Sequence, residues 1–168
     1  MYKKSQAALE FLTTYGWAFL IIIIMVGALA YFGILSPSKL LPSRCNFGSE
    51  FQCIDHQISA TANSIRFRLK NNVGEAVAIT SVTFGSEGST AFTCTTLTLP
   101  VVSATPTLPT AWSSGSVVDY QYTGCNSAAA GMVAGEKGKA FVTITYNTVS
   151  SGASYAKTVK GEIYSTVQ

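Results

Sequence analysis

Between Phe11 and Ser38 the chain carries no charged residue, and from Trp17 to Leu35 it is apolar almost throughout. An α-helix rises about 1.5 Å per residue, so roughly 20 apolar residues cross a bilayer core. The stretch YGWAFLIIIIMVGALAYFGIL meets that length, with Tyr15, Trp17, Tyr31 and Phe32 towards its two ends, where interfacial aromatics sit. The pattern predicts one long apolar helix. Pro37 and Pro42 end it, because proline cannot continue a helix, and SPSKLLPSR reads as a connector.

From about Gln57 the period changes to two. In SIRFRLKN, Ile65, Phe67 and Leu69 alternate with Arg66, Arg68 and Lys70, which predicts a strand with one wet face. NNVGE reads as a turn and AVAITSVTFG as the next strand, with a change of phase near Thr80 that predicts a bulge. AFTCTTLTL, VVDYQY, KAFVTITYN and YAKTVKGEIYST follow as strands, the last two joined through NTVSSGAS as a hairpin. PVVSATPTLPTAWSSGS is a loop whose Trp112 is expected to pack over one end of the core. Six or seven strands and no second helix predict an antiparallel β-sandwich behind the helix, an α+β chain.

Composition sharpens this picture. Charged residues make up only 11% of the 168, against about 25% in an average soluble domain, and the helix accounts for part of the deficit. The net charge of +3 is small and the basic residues are scattered, so no nucleic-acid partner is expected. Lys3 and Lys4 would stay cytoplasmic by the positive-inside rule, which sends the remainder outside. A secretory signal peptide would have a shorter apolar core and then a small-x-small cleavage site, which LSPSKLLPSR does not offer. A plain single-pass anchor explains the lysines and isoleucines but leaves Glu10, at the mouth of the apolar run, without a task.

Cys45, Cys53, Cys94 and Cys125 all follow the apolar segment, and none lies in a C-x-x-C arrangement. An even number of cysteines on the outer side fits disulfides. Of the three possible pairings, Cys45–Cys53 and Cys94–Cys125 are expected, each closing one irregular stretch. No metal or other cofactor is expected, since zinc sites use tighter ligand pairs. No catalytic residue can be nominated. His56 is the sole histidine and reads, with Asp55, as an exposed turn pair in a loop ahead of the first strand. The acids are scattered, the glycines fit turns, and no phosphate-binding loop is present. No N-x-[ST] sequon occurs, whereas the many Ser and Thr between Ser103 and Ser127 leave O-linked sugars open.

The stretch KKSQAALEFL, Lys3 to Leu12, resembles the class III signal peptide of archaeal type IV pilins, and the apolar run after it resembles their N-terminal helix. The resemblance covers Lys3 to Leu35, about a fifth of the chain. It implies that a prepilin peptidase, an intramembrane aspartyl protease, cuts between Ser5 and Gln6, just after the basic pair Lys3 and Lys4. The fifth mature residue is then Glu10, as in the family. Ala8 stands where the family often has serine, a departure that leaves the glutamine and the glutamate untouched. The resemblance further implies an immunoglobulin-like sandwich, a homopolymer of identical subunits, a pilus assembly machinery as partner, and a membrane location before assembly. Archaellins, the flagellar relatives, share both parts.

Elementary electrostatics gives Glu10 a task under that reading. A cut before Gln6 creates an α-amino group, positively charged at neutral pH. Among packed apolar helices such a charge is costly unless paired. Glu10, one helical turn along, is the only acid near enough to neutralise its own terminus or a neighbour's. Small residues at Gly16, Gly27, Ala28, Ala30 and Gly33 permit close helix approach, although Gly27 and Gly33 lack the G-x-x-x-G spacing. The expected organisation is a leader over 1–5, a membrane and filament-core helix over 6–36, a connector over 37–56 and a β head over 57–168. The expected function is that of a surface-filament subunit serving attachment. A motility filament subunit and a membrane-anchored extracellular binding module are the alternatives.

Overall fold

The computed structural model describes residues 3–32, 41–85, 92–102 and 105–168. The chain divides into two compact units, Met1–Leu41 and Pro42–Gln168, and is α+β: one N-terminal helix followed by antiparallel sheets. Helix α1 spans Lys3–Tyr31, and the Phe32 amide closes its last turn on the Ala28 carbonyl at 2.9 Å. Pro37, read as a stop for the helix, lies outside the described residues.

Among the described residues of the second unit ten strands occur, β1 (Arg44–Asn46), β2 (Phe51–Ser59), β3 (Ser64–Asn71), β4 (Val77–Gly85), β5 (Thr96–Leu99), β6 (Val101–Val102), β7 (Thr105–Pro106), β8 (Val117–Thr123), β9 (Lys137–Thr148) and β10 (Lys157–Thr166). They form a first sheet in the order β1-β10-β9-β4, a second in the order β2-β3-β8-β5, and the ribbon β6-β7. All pairs are antiparallel.

The wet-faced strand read in SIRFRLKN is β3, residue for residue. The bulge expected near Thr80 is the register shift between Ile79 and Ser81 on β4. Three expectations need correction. Strands begin at Arg44 and Phe51, inside the stretch read as a connector, and Asp55 with His56 lies on β2 instead of in a loop. The cause is a bulge between Cys53 and Asp55 that flips which side chains face inward: Phe51 is buried on one phase and Ile58 on the other. The alternation that betrays a strand is thereby broken in mid-strand. The strand read in AFTCTTLTL shrinks to Thr96–Leu99, because Thr93 instead bonds Asn126, its amide donating to the Asn126 side chain at 2.7 Å.

The two main sheets share one core. Phe47 stacks on Phe67 with ring centroids 5.7 Å apart, and Phe51 meets Tyr146 edge-on at 5.1 Å. Phe84 of the first sheet meets Tyr122 of the second at 4.8 Å. Aromatic pairs in these offset and edge geometries add about 0.5–1.5 kcal/mol each beyond area burial. Trp112 is in that core as expected, stacked on Phe51 at 5.2 Å, with its indole N–H donating to the Ser116 carbonyl. Its backbone also pairs with Val77, so the long loop runs along the free edge of β4. Asn71, fully buried, fixes the turn after β3: its amide donates to the Glu75 and Trp112 carbonyls, both at 2.9 Å, and its oxygen accepts from the Val73 amide.

At the opposite border the sheets are joined. The disulfide Cys45–Cys53 ties β1 of the first sheet to β2 of the second, and the Gln168 amide donates to the Ile58 carbonyl beside it. Cys94–Cys125, the other expected bond, pins the segment before β5 to the exit of β8.

Candidate assembly helix

Within α1, Leu9–Tyr31 is long and apolar enough to cross a membrane, with mean hydropathy 2.1. Its 23 residues extend about 35 Å, slightly more than a bilayer core of about 30 Å. Apolar residues occupy all sides of the helix, and every described side chain from Leu9 to Phe32 is exposed. A helix that is apolar all round is suited to lipid or to burial among other helices.

Its two threonine hydroxyls bond back onto the helix. The Thr14 hydroxyl donates to the Glu10 carbonyl at 2.8 Å, and the Thr13 hydroxyl lies within reach of the Leu9 and Glu10 carbonyls at 3.0 and 3.1 Å. Such back-bonding hides a hydroxyl from an apolar medium. The Glu10 carboxylate is exposed at the start of the apolar run. The helix contains Lys3, Lys4, Ser5 and Gln6, whose side chains, and with them the expected Gln6–Glu10 pairing, lie outside the described residues.

One side of the helix is notched. Phe11, Tyr15, Gly16, Ala18, Phe19 and Ile22 together line a shallow apolar groove on the helix surface. The Phe11 and Tyr15 rings lie 4.5 Å apart. A Cβ placed on Gly16 or Gly27 would meet nothing within 4 Å, so both positions are open to close approach by another helix. Gly33 lies outside the described residues.

No protein-family model matches the chain, and no curated protein matches it.

In the head, His56 and the two sulfurs of Cys45 and Cys53 lie within 4.8 Å of one another. The sulfurs are bonded to each other, so neither is the thiolate a metal requires. The Asp55 carboxylate accepts the His56 backbone N–H at 2.8 Å. On the outer side of the second sheet, Asp119 of β8 takes a two-pronged contact from Arg68, at 2.9 and 2.8 Å, and a third from Arg66 at 3.0 Å. The hydrogen bond from Arg68 is the main reason that the Asp119 carboxyl is held below its ordinary range. Burial pushes the Tyr120 and Tyr122 hydroxyls strongly up, and both stay neutral.

Sequence reading did not find the Asp119 cluster or the basic outer face of the first sheet. The alternation in KGKAFVT and KTVKGEIY was visible, but the strand pairing that brings those lysines together was not.

Proposed function

We propose that the chain is the precursor of a structural subunit of an archaeal type IV pilus-like surface filament serving attachment. The observation that carries the reading is a helix apolar on every side, entered through a lone carboxylate one turn after the motif Lys-Lys-Ser-Gln. A helix of that kind is poorly suited to a water-exposed position and well suited first to a bilayer, then to a bundle of its own copies. Under this reading cleavage between Ser5 and Gln6 frees an ammonium group, and Glu10 neutralises it within the bundle. The apolar groove lined by Phe11, Tyr15, Phe19 and Ile22 receives a neighbouring helix. Head-to-tail repetition of one contact that does not close builds a helical polymer. The head is read as an immunoglobulin-like sandwich facing outward, with two disulfides suited to an oxidising exterior.

Mass spectrometry of the native N-terminus tests processing. A chain starting at Gln6 is the expected result, whereas an intact Met1 would make the protein a single-pass anchor carrying a binding module. Glu10→Ala and Glu10→Gln are both expected to lower filament yield in sheared surface fractions by more than tenfold, with membrane levels of the subunit unchanged. An unpaired charge among apolar helices costs several kcal/mol, enough for that loss. Assembly of either variant at the wild-type rate would refute the docking role.

A further inference from the structure

The outer face of the first sheet gathers cations. Lys137, Lys139 and Phe141 alternate with buried residues on β9, as Lys160, Glu162 and Tyr164 do on β10, and Arg44 stands on the neighbouring β1. The register sets Arg44 and Lys139 on either side of Tyr164, with Glu162 opposite Phe141 and Lys160 opposite Thr143. Lys137 to the Lys160 row spans six residues of β9, about 20 Å of strand.

Three of these cations, Arg44, Lys137 and Lys139, are held in place. The Arg44 guanidinium and the Lys137 ammonium lie 5.9 and 5.8 Å from the Tyr164 ring centre, and the Lys139 ammonium lies 4.7 Å from that of Phe141. Glu162 bonds Arg44 at 2.8 Å and Lys139 at 3.3 Å. Cation–ring contacts restrain flexible side chains, so less entropy remains to be lost when a ligand binds. The head as a whole is close to neutral. Setting aside Lys3, Lys4 and Lys39 leaves eight of the eleven basic residues, and setting aside Glu10 leaves seven of the eight acids. Against that balance, a face with four cations and one carboxylate is a concentration of positive charge, not a reflection of composition.

We propose that this face docks a linear, carboxylate-bearing polysaccharide, with Lys137, then Arg44 and Lys139 in one row, then Lys160 meeting acidic sugars along its length. The spread of charge over three paired strands, extended along the strand direction, suits an extended polyanion. Single-stranded nucleic acid is disfavoured because Tyr164 and Phe141 lie beneath cations, and unstacked bases need open aromatic faces. A second copy is disfavoured because the acids of the head are dispersed and Asp119 is committed to Arg66 and Arg68. The biological setting, surface attachment, rests on the filament reading; the binding itself belongs to the head.

The test uses the full chain in neutral-detergent micelles, with polygalacturonate, uncharged dextran and oligo(dT) as probes. Polygalacturonate should bind at low salt and weaken as salt rises through the range where the screening length falls below about 10 Å, and dextran should not bind. Each surface cation contributes about fivefold towards a polyanionic partner, so Lys137→Gln with Lys160→Gln should weaken binding by roughly 25-fold. Lys70→Glu, which removes the same charge from the second sheet, should change it by less than about twofold. Equal losses in the two variants, or no binding of polygalacturonate, overturn the proposal; tighter binding of oligo(dT) assigns the face to nucleic acid instead. Because micelles need no polymerisation, binding without filaments would count against the filament reading alone, and filaments without binding against this inference alone.

Discussion

Removing the two disulfides one at a time should destabilise the head unequally, and the order is set by the loops they close. Cross-linking restricts the unfolded chain more as the loop lengthens. For Cys94–Cys125, with a separation of 31, the chain-entropy relation gives about 3.7 kcal/mol; for Cys45–Cys53, with a separation of 8, it gives about 2.5 kcal/mol. Burial acts in the same direction, since Cys125 is buried at 5% exposure whereas Cys45 and Cys53 are only partly buried. The double variants Cys94→Ala/Cys125→Ala and Cys45→Ala/Cys53→Ala can be compared by urea unfolding of the full chain in neutral detergent. Only two tryptophans are present, so a Trp17→Phe background leaves Trp112, stacked in the core on Phe51, as the fluorescent reporter. The expected result is a gap of about 1.2 kcal/mol with the 94–125 variant the weaker. A larger loss from the 45–53 variant would refute the loop-length argument and point to the sheet-to-sheet tie as the dominant effect.

Gly161→Ala should cost about 1–3 kcal/mol, because the new Cβ would fall 2.7 Å from Phe47 Cγ and nearer still to the ring edge. Phe47 is fully buried against Phe67 and has little room to yield, so an unchanged unfolding midpoint would count against this packing. Tyr120→Phe should raise stability by about 1 kcal/mol, since the Tyr120 hydroxyl is buried without a hydrogen-bond partner among the described residues; a drop in midpoint would reveal a partner. Asp119→Asn should cost no more than about 1 kcal/mol near neutral pH, because Arg66 is exposed and Arg68 only partly buried. The Asp119 carboxyl is held below its ordinary value of 3.8, so its contribution is present above that pH and is lost as pH falls through the lower, folded-state value. Unfolding midpoints of the two proteins should therefore converge in strong acid, and a gap that persists there would show that the carboxylate charge is not the cause.

Legibility in the sequence followed the strength of each local pattern. β3 was plain because its outward residues are arginines and a lysine, which leave no doubt about the wet side. The β4 bulge was plain because the apolar phase changes at Thr80. β1 and β2 were hidden for the opposite reason: three residues are too few to show a period, and the bulge after Cys53 divides β2 into two short runs of opposite phase. The ribbon β6-β7 lies in a stretch rich in proline and serine that carries no alternation. Glu10 stood out by contrast alone, as one acid against a long apolar run. The basic face did not, because alternate lysines on one strand are ordinary, and their meeting with Arg44 and Tyr164 depends on a register set by long-range pairing.

The tie between Cys45 and Cys53 also decides how the head bears load. Tension arriving along the backbone at Pro42 reaches Cys45 almost at once, before the three residues of β1 can peel away from β10 in sequence. At Cys45 the force crosses the sulfur bridge to Cys53 and passes into β2 of the other layer, so both sheets resist together. Residues 46–52 lie inside the bypassed loop and stay slack. Phe47 and Phe51, which anchor that loop in the core, are thus insulated from the pull that a tethered subunit would feel.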